Sequence, residues 1–162
     1  MQPIKVEKTD SQVDACASMM SDTDPWKAIG FSKEQCIEAL KQPEIRIDVI
    51  ANEDGIIAFL ASVKRGVAME PMIEYLCVRS DLRGEGIGSR MVQFFEEVLN
   101  PDADNLYMLV SDINPRAKTL YERLGYVAVG ELPNYNLPGQ TEFLMRKSRG
   151  PRQTRRQERR GI

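Results

Sequence analysis

The chain of 162 residues contains no histidine. That excludes a histidine base, a histidine-containing triad and a histidine metal site before any motif is read. Its three cysteines, Cys16, Cys36 and Cys77, have neither metal-ligand spacing nor the even count of a disulfide framework. Such usage is expected of a reducing cytoplasm, with no metal bound. The longest apolar run, Ile56 to Val63, falls far short of the roughly 20 residues that cross a bilayer, so no membrane partner is expected. The opening MQPIKVEKTD has no apolar core segment, so no secretory signal is expected either. Aromatic residues make up only 7% of the chain and the body shows no basic stripe, which argues against nucleic acid as the main ligand.

What is present fits one soluble domain with a real core. The chain is 42% hydrophobic and 28% charged, with a net charge of −2. That small net charge hides an asymmetry. From Arg146 onward eight Lys/Arg stand against one Glu, so the body is acidic and the end is basic. Residues 149–162 carry almost no apolar side chains and are expected to form a disordered basic tail, with the folded domain over 1–148. The tail can attract nucleic acid, acidic lipid or the chain's own acidic body, or it can be a solvated end with no partner.

Periodicity and punctuation give the order β-α-α-β-β-β-α-β-α-β-β. Ile4 to Lys8 reads as a strand, and a helix follows to about Asp22, broken at Asp24-Pro25-Trp26. Ser32 opens a second helix with a capping-box pattern. Two β-rich runs, Ile45 to Ala51 and Ile56 to Lys64, are joined by NEDG, a hairpin signal. Met72 to Val78 is a third run. A helix is expected from Ile87 to Leu99, with Ile87, Met91, Phe94, Phe95 and Val98 on one face. Leu106 to Val110 is a strand, Asn114 starts a further helix, and Gly125 ends it. Strands over Tyr126 to Leu132 and Thr141 to Lys147 close the chain. The class is mixed α/β, a sheet of six to seven strands with helices on both faces.

One stretch stands out. RSDLRGEGIGSRMV, from Arg79 to Val92, places three of the chain's 11 glycines in a five-residue window. It follows a strand and opens a helix, so its backbone amides are free to hold an anion, usually a phosphate. A Walker loop is excluded, because Gly88 is followed by Ser89 and Arg90 with no lysine. The dinucleotide fingerprint G-x-G-x-x-G fails at Ser89 from one start and at Met91 from the other. The pattern R-x-x-G-x-G fits letter for letter at Arg83, Gly86 and Gly88.

Downstream, Asn114 to Tyr126 reads NPRAKTLYERLGY. The two segments together resemble the signature of the Gcn5-related N-acetyltransferase family, and the element order agrees over about residues 3–147. The ending GELPNYNLPGQTEFLMRK looks like a bacterial subgroup whose acceptors are often unassigned. The resemblance implies acetyl-CoA as co-substrate, with its pyrophosphate held by amides from Gly84, Glu85, Gly86, Ile87 and Gly88. Ser89 then donates a hydroxyl or is an ordinary first-turn residue, and Arg83 or Arg90 balances charge.

The implied chemistry is acetyl transfer to an amine. A backbone amide near Leu76 would stabilise the thioester oxygen as charge builds there, while Cys77 and Val78 belong to the strand end that pairs with the pantetheine arm. Tyr121 matches the position that often protonates the departing sulfur; otherwise it is a core tyrosine. Asn114 holds coenzyme or loop backbone, or is a plain helix cap. Where some relatives carry a glutamate base this chain has Met72. Glu74, two residues along on the same strand face, can act through water or be a solvated carboxylate. Cys77 points the other way, and direct transfer needs no nucleophile. Trp26 and Tyr135 are candidate walls of the acceptor pocket, or exposed anchors of their turns. A monomer or homodimer is expected. The competing function is a regulatory module that keeps an acyl-CoA site and engages RNA or an acidic partner through the tail.

Overall fold

The computed structural model describes residues 4–5 and 8–151. The described residues fall into two compact units, one within 1–63 and 73–95, the other within 64–72 and 96–151.

The first unit holds strands β1 (Ile4–Lys5), β2 (Arg46–Asn52), β3 (Gly55–Val63) and β4 (Met72–Val78) as successive neighbours, with helices α1 (Asp10–Ser21), α2 (Lys33–Lys41) and α3 (Ile87–Phe94). Helix α1 buries Val13, Cys16, Ala17 and Met20, the i, i+3, i+4, i+7 stripe of a core-facing helix. Helix α2 starts where its capping box was expected. The Ser32 hydroxyl accepts from Gln35 N at 3.2 Å, and the Gln35 side chain accepts from Ser32 N at 2.8 Å. Strands β2 and β3 pair antiparallel, with Asn52 facing Gly55 across the NEDG turn. Strand β3 is buried continuously from Ile57 to Val63, as a strand covered on both faces must be. Asp48, wholly buried on β2, is satisfied by a two-pronged Arg46 guanidinium at 2.8 Å.

The second unit is built on an antiparallel set in the order β5-β7-β6, with β5 Asn105–Ser111, β6 Val127–Pro133 and β7 Thr141–Ser148. Helix α4 (Pro115–Arg123) begins at Asn114, whose side chain accepts from Ala117 N, and Pro115 takes the first helical position, where a missing N–H costs nothing. Gly125 adopts the left-handed conformation (φ 91°) expected of its stop.

The element order agrees with the sequence reading throughout, but one helix differs. Residues Phe95–Leu99, expected to continue α3, form a wide π turn. The extra residue in that turn rotates everything after it. Val98, expected on the buried face, is 61% exposed, and Glu96 turns inward to pair with Lys147. At the other end, Arg149 falls inside the expected tail, yet its side chain donates to the carbonyls of Glu96, Asn100 and Pro101. Residues 152–162, the rest of that tail, lie outside the described residues.

Candidate active site

The glycine segment sits in the first unit. After β4, a short 3-10 turn (Ser80–Leu82) leads into Gly84 and Gly86, both left-handed at φ 90° and 78°. A Cβ at either would meet nothing within 4 Å. Backbone conformation, not crowding by protein atoms, demands glycine here, and the space beside the loop is open. The first amide to find a helical acceptor is that of Arg90, which bonds Gly86 O. The amides of residues 84–89 donate to no acceptor among the described residues. Six consecutive donors at a helix start make a strong anion cradle, and the helix dipole adds to it. Arg83 is exposed, and its guanidinium reaches the carbonyls of Val78 and Asp24, both at 3.4 Å. Glu85 is exposed, Ile87 is buried and Ser89 is half-buried.

Strand β4 leads into this cradle. Leu76 and Val78 are half-buried, and Cys77 is buried with its Sγ 3.8 Å from Met19 O on α1. Burial pushes the Cys77 thiol up to about 12, so it is inert as a nucleophile at neutral pH. Glu74 is half-buried, and loss of water raises its carboxyl above the ordinary value, with the Glu44 charge adding to the effect. Trp26 packs edge-on against Tyr75, with ring centres 6.3 Å apart. Alternation along β4 puts Tyr75 and Cys77 on the face toward α1 and Glu74 on the other. The structure therefore does not bring Trp26 and Glu74 to one face. Tyr75 escaped the sequence reading, although a tyrosine alternating with a buried cysteine was a usable signal.

The remaining candidates belong to the second unit. Tyr121 lies on α4 and is 7% exposed, with its ring edge-on to Tyr126 at 6.4 Å. Its hydroxyl takes no hydrogen bond from the described residues. Burial alone pushes its phenol up to about 12. Asn114 serves as the cap of α4, one of the two roles foreseen. Tyr135 is 60% exposed in the β6–β7 connection. Among the described residues no group of three or more Cys, Asp or Glu could hold a metal ion, and no helix is long and apolar enough to cross a membrane.

Residues 43–128, which include the cradle and Tyr121, match the model of the acetyltransferase (GNAT) domain. The chain belongs to the GNAT acetyltransferase family. It is accordingly an acetyl-CoA-dependent N-acetyltransferase. Among curated proteins it is similar to N-alpha-acetyltransferase 30 of Schizosaccharomyces pombe, at 29% identity over 104 residues, 62% of this chain and 69% of that protein. Among solved structures, an aminoglycoside 6'-N-acetyltransferase complexed with coenzyme A superposes with a TM-score of 0.73 at 22% identity, covering 94% of this chain and 99% of that one. The NatC complex bound to Gag peptide and CoA gives 0.67 at 18% identity, covering 93% and 100%. These two show that the GNAT fold extends across the whole described chain, including α1, α2 and β7, which the family model does not reach.

Proposed function

We propose that the chain moves the acetyl group of acetyl-CoA to a primary amine by direct attack within a ternary complex. The observation that carries this reading is the cradle of six acceptor-less amides, 84–89, at the start of α3. In the proposal these amides hold the pyrophosphate, with Arg83 and the Ser89 hydroxyl supplementing them. The backbone of Leu76, Cys77 and Val78 aligns the pantetheine arm, and the Leu76 amide stabilises the oxyanion. A preorganised donor of this kind is worth about 3 kcal/mol. Direct attack is supported by the state of Cys77, whose buried, protonated thiol cannot carry an acyl group.

The neutral amine nitrogen bonds to the thioester carbon, the carbon–sulfur bond breaks, and the nitrogen gives up a proton. Glu74 takes that proton through water, a role suited to a carboxylate that burial raises above its ordinary value. Tyr121 donates a hydrogen bond to the departing sulfur. A phenol at about 12 holds its proton more tightly than an ordinary thiol, by roughly 3 pKa units or about 4 kcal/mol. Tyr121 thus supports the developing charge while keeping its proton, and the sulfur is finally protonated from water. Asn114 fixes the start of α4, and with it Tyr121. The buried free thiols fit a reducing cytoplasm as the place of action.

The reading resembles the activities in its relatives' names, N-alpha-acetylation and aminoglycoside 6'-N-acetylation, without choosing between them. Thiol release from acetyl-CoA, measured across a panel of amines and peptides, tests it. Acceptor-dependent release is expected. Tight coenzyme binding with no acceptor-dependent release across the panel would leave a binding module instead.

A further inference from the structure

The connection between α1 and α2 is a body of turns held by its own backbone. Lys27 N bonds Thr23 O and Ile29 N bonds Pro25 O, both at 3.1 Å, and Phe31 N bonds Trp26 O at 3.0 Å. Those bonds fix its shape, so its placement depends on the ties that cross to other elements. Thr23, at its start, is buried. Further along, the Trp26 ring packs edge-on against Tyr75 of β4, and the exposed Asp24 offers its carbonyl to the Arg83 guanidinium. All of these residues belong to the first unit.

Arg83 joins two places with different tasks. It stands one residue before the cradle amides, while its side chain reaches back to the α1–α2 connection. The guanidinium is divided between two neutral acceptors, Asp24 O and Val78 O, each at 3.4 Å, which is long against the usual value of about 2.9 Å. Asp81, two residues before it, is paired with Arg79 at 2.8 Å. A guanidinium binds a phosphate with both charges engaged and often through two parallel bonds. A phosphate in the cradle therefore outcompetes carbonyls held at such a distance.

We propose that Arg83 is a positioning residue through which the cradle controls the α1–α2 connection. With the cradle empty, its guanidinium holds Asp24 and keeps the Trp26 ring on Tyr75. With a pyrophosphate present it turns to the phosphate and releases Asp24, and the turn that carries Trp26 loosens from β4. The connection then adjusts to an acceptor only once the coenzyme is in place. This rests on the reading that the cradle holds the pyrophosphate, and it adds a consequence at a segment that the cradle amides do not touch.

The chain has a single tryptophan, so the fluorescence of Trp26 reports on this turn. The test is acrylamide quenching of that fluorescence in the full chain, with coenzyme binding measured separately by calorimetry. Coenzyme A and inorganic pyrophosphate are each expected to raise the quenching constant, and pantetheine, which lacks the phosphates, to leave it unchanged. Inorganic pyrophosphate has no ring or thiol that could quench the indole directly. Arg83→Lys keeps the charge but has no fork to span two carbonyls. It is expected to show the raised quenching without ligand and to gain nothing when coenzyme A is added. Its coenzyme affinity should stay within about tenfold of wild type, the loss of one hydrogen bond to a charged group. Coenzyme A that binds the wild type by calorimetry without changing the quenching overturns the coupling and leaves the cradle intact. Unliganded Arg83→Lys that quenches like the unliganded wild type also overturns it, as does a response to pantetheine without one to pyrophosphate. Coenzyme affinity unaltered by Gly86→Val, the sign of a pyrophosphate held elsewhere, overturns the reading beneath it.

Discussion

The glycine cradle of the first unit and the buried Glu142 of the second differ in how their polar groups are satisfied. The cradle has donors without acceptors, on an exposed loop where water satisfies them at little cost. Glu142 is buried, with the Asn136 amide and the Ser111 hydroxyl as neutral donors and no cation partner among the described residues. The co-substrate is anionic, so the imbalance of the cradle has a matching charge among the reactants. An exposed set of unpaired amides is inexpensive to keep, and a loop and a helix start suffice to make one. A buried carboxylate held by neutral donors alone lowers stability once it is ionised.

The first way to break this comparison is to spoil the donor side. Gly86→Val puts a β-branched residue at φ 78°, where such residues are strained. The expected outcome is a loss of acetyl-CoA affinity on the order of 100-fold, about 3 kcal/mol, in a folded protein. Isothermal titration measures it, and wild-type affinity in the folded variant would remove the cradle from the account.

A smaller effect is expected from Tyr121→Phe, which keeps the ring packed on Tyr126. If the hydroxyl supports the leaving sulfur, kcat falls roughly 10- to 100-fold while coenzyme affinity stays within a few-fold. Burial holds the phenol at about 12, so it does not titrate in the working range. The ratio of variant to wild-type kcat should therefore be constant from about pH 6 to 9. Equal turnover at every pH would leave Tyr121 as a core residue.

Much of the cradle was legible in the sequence, because glycine spacing, a preceding strand and a following helix are all local signals. The element order was legible for the same reason. The π turn was not. Phe95 and Val98 fit a regular helix by spacing, and only the pairing of Glu96 with Lys147, 51 positions away, marks the altered phase. Glu142 was equally hidden. An acid in TEFLMRK reads as a solvent-facing position, and its burial is set by its cross-strand pairing with Ser111. Contacts between residues distant in sequence decided both cases, and periodicity does not carry them.

Arg149 comes next in size. Its side chain closes the end of the π turn by donating to three carbonyls that a helix end leaves open. Arg149→Ala is expected to cost about 1–2 kcal/mol, and a lowered Tm with unchanged coenzyme affinity is the result to look for. An unaltered Tm would show that water serves those carbonyls as well.

The smallest effect sharpens the comparison most, because it predicts opposite signs for two buried glutamates. Glu96→Gln removes the charge that Lys147 pairs with and should lower stability. Glu142→Gln removes a charge with no cation partner. The folded-state pKa of Glu142 is raised above its unfolded value, so its contribution to stability is fully present below the unfolded pKa, near 4.5, and is lost as pH rises through the raised value. Above the raised value the wild type carries the penalty of the ionised, buried carboxylate, and Glu142→Gln does not. The variant should be more stable than wild type at pH 7, by on the order of 1 kcal/mol, and the gap should close as pH falls toward 4.5. Thermal unfolding of both proteins across that range, without acceptor, gives the answer. A Glu142→Gln variant less stable than wild type at pH 7 would mean that the Asn136 and Ser111 donors outweigh the cost of burying the charge.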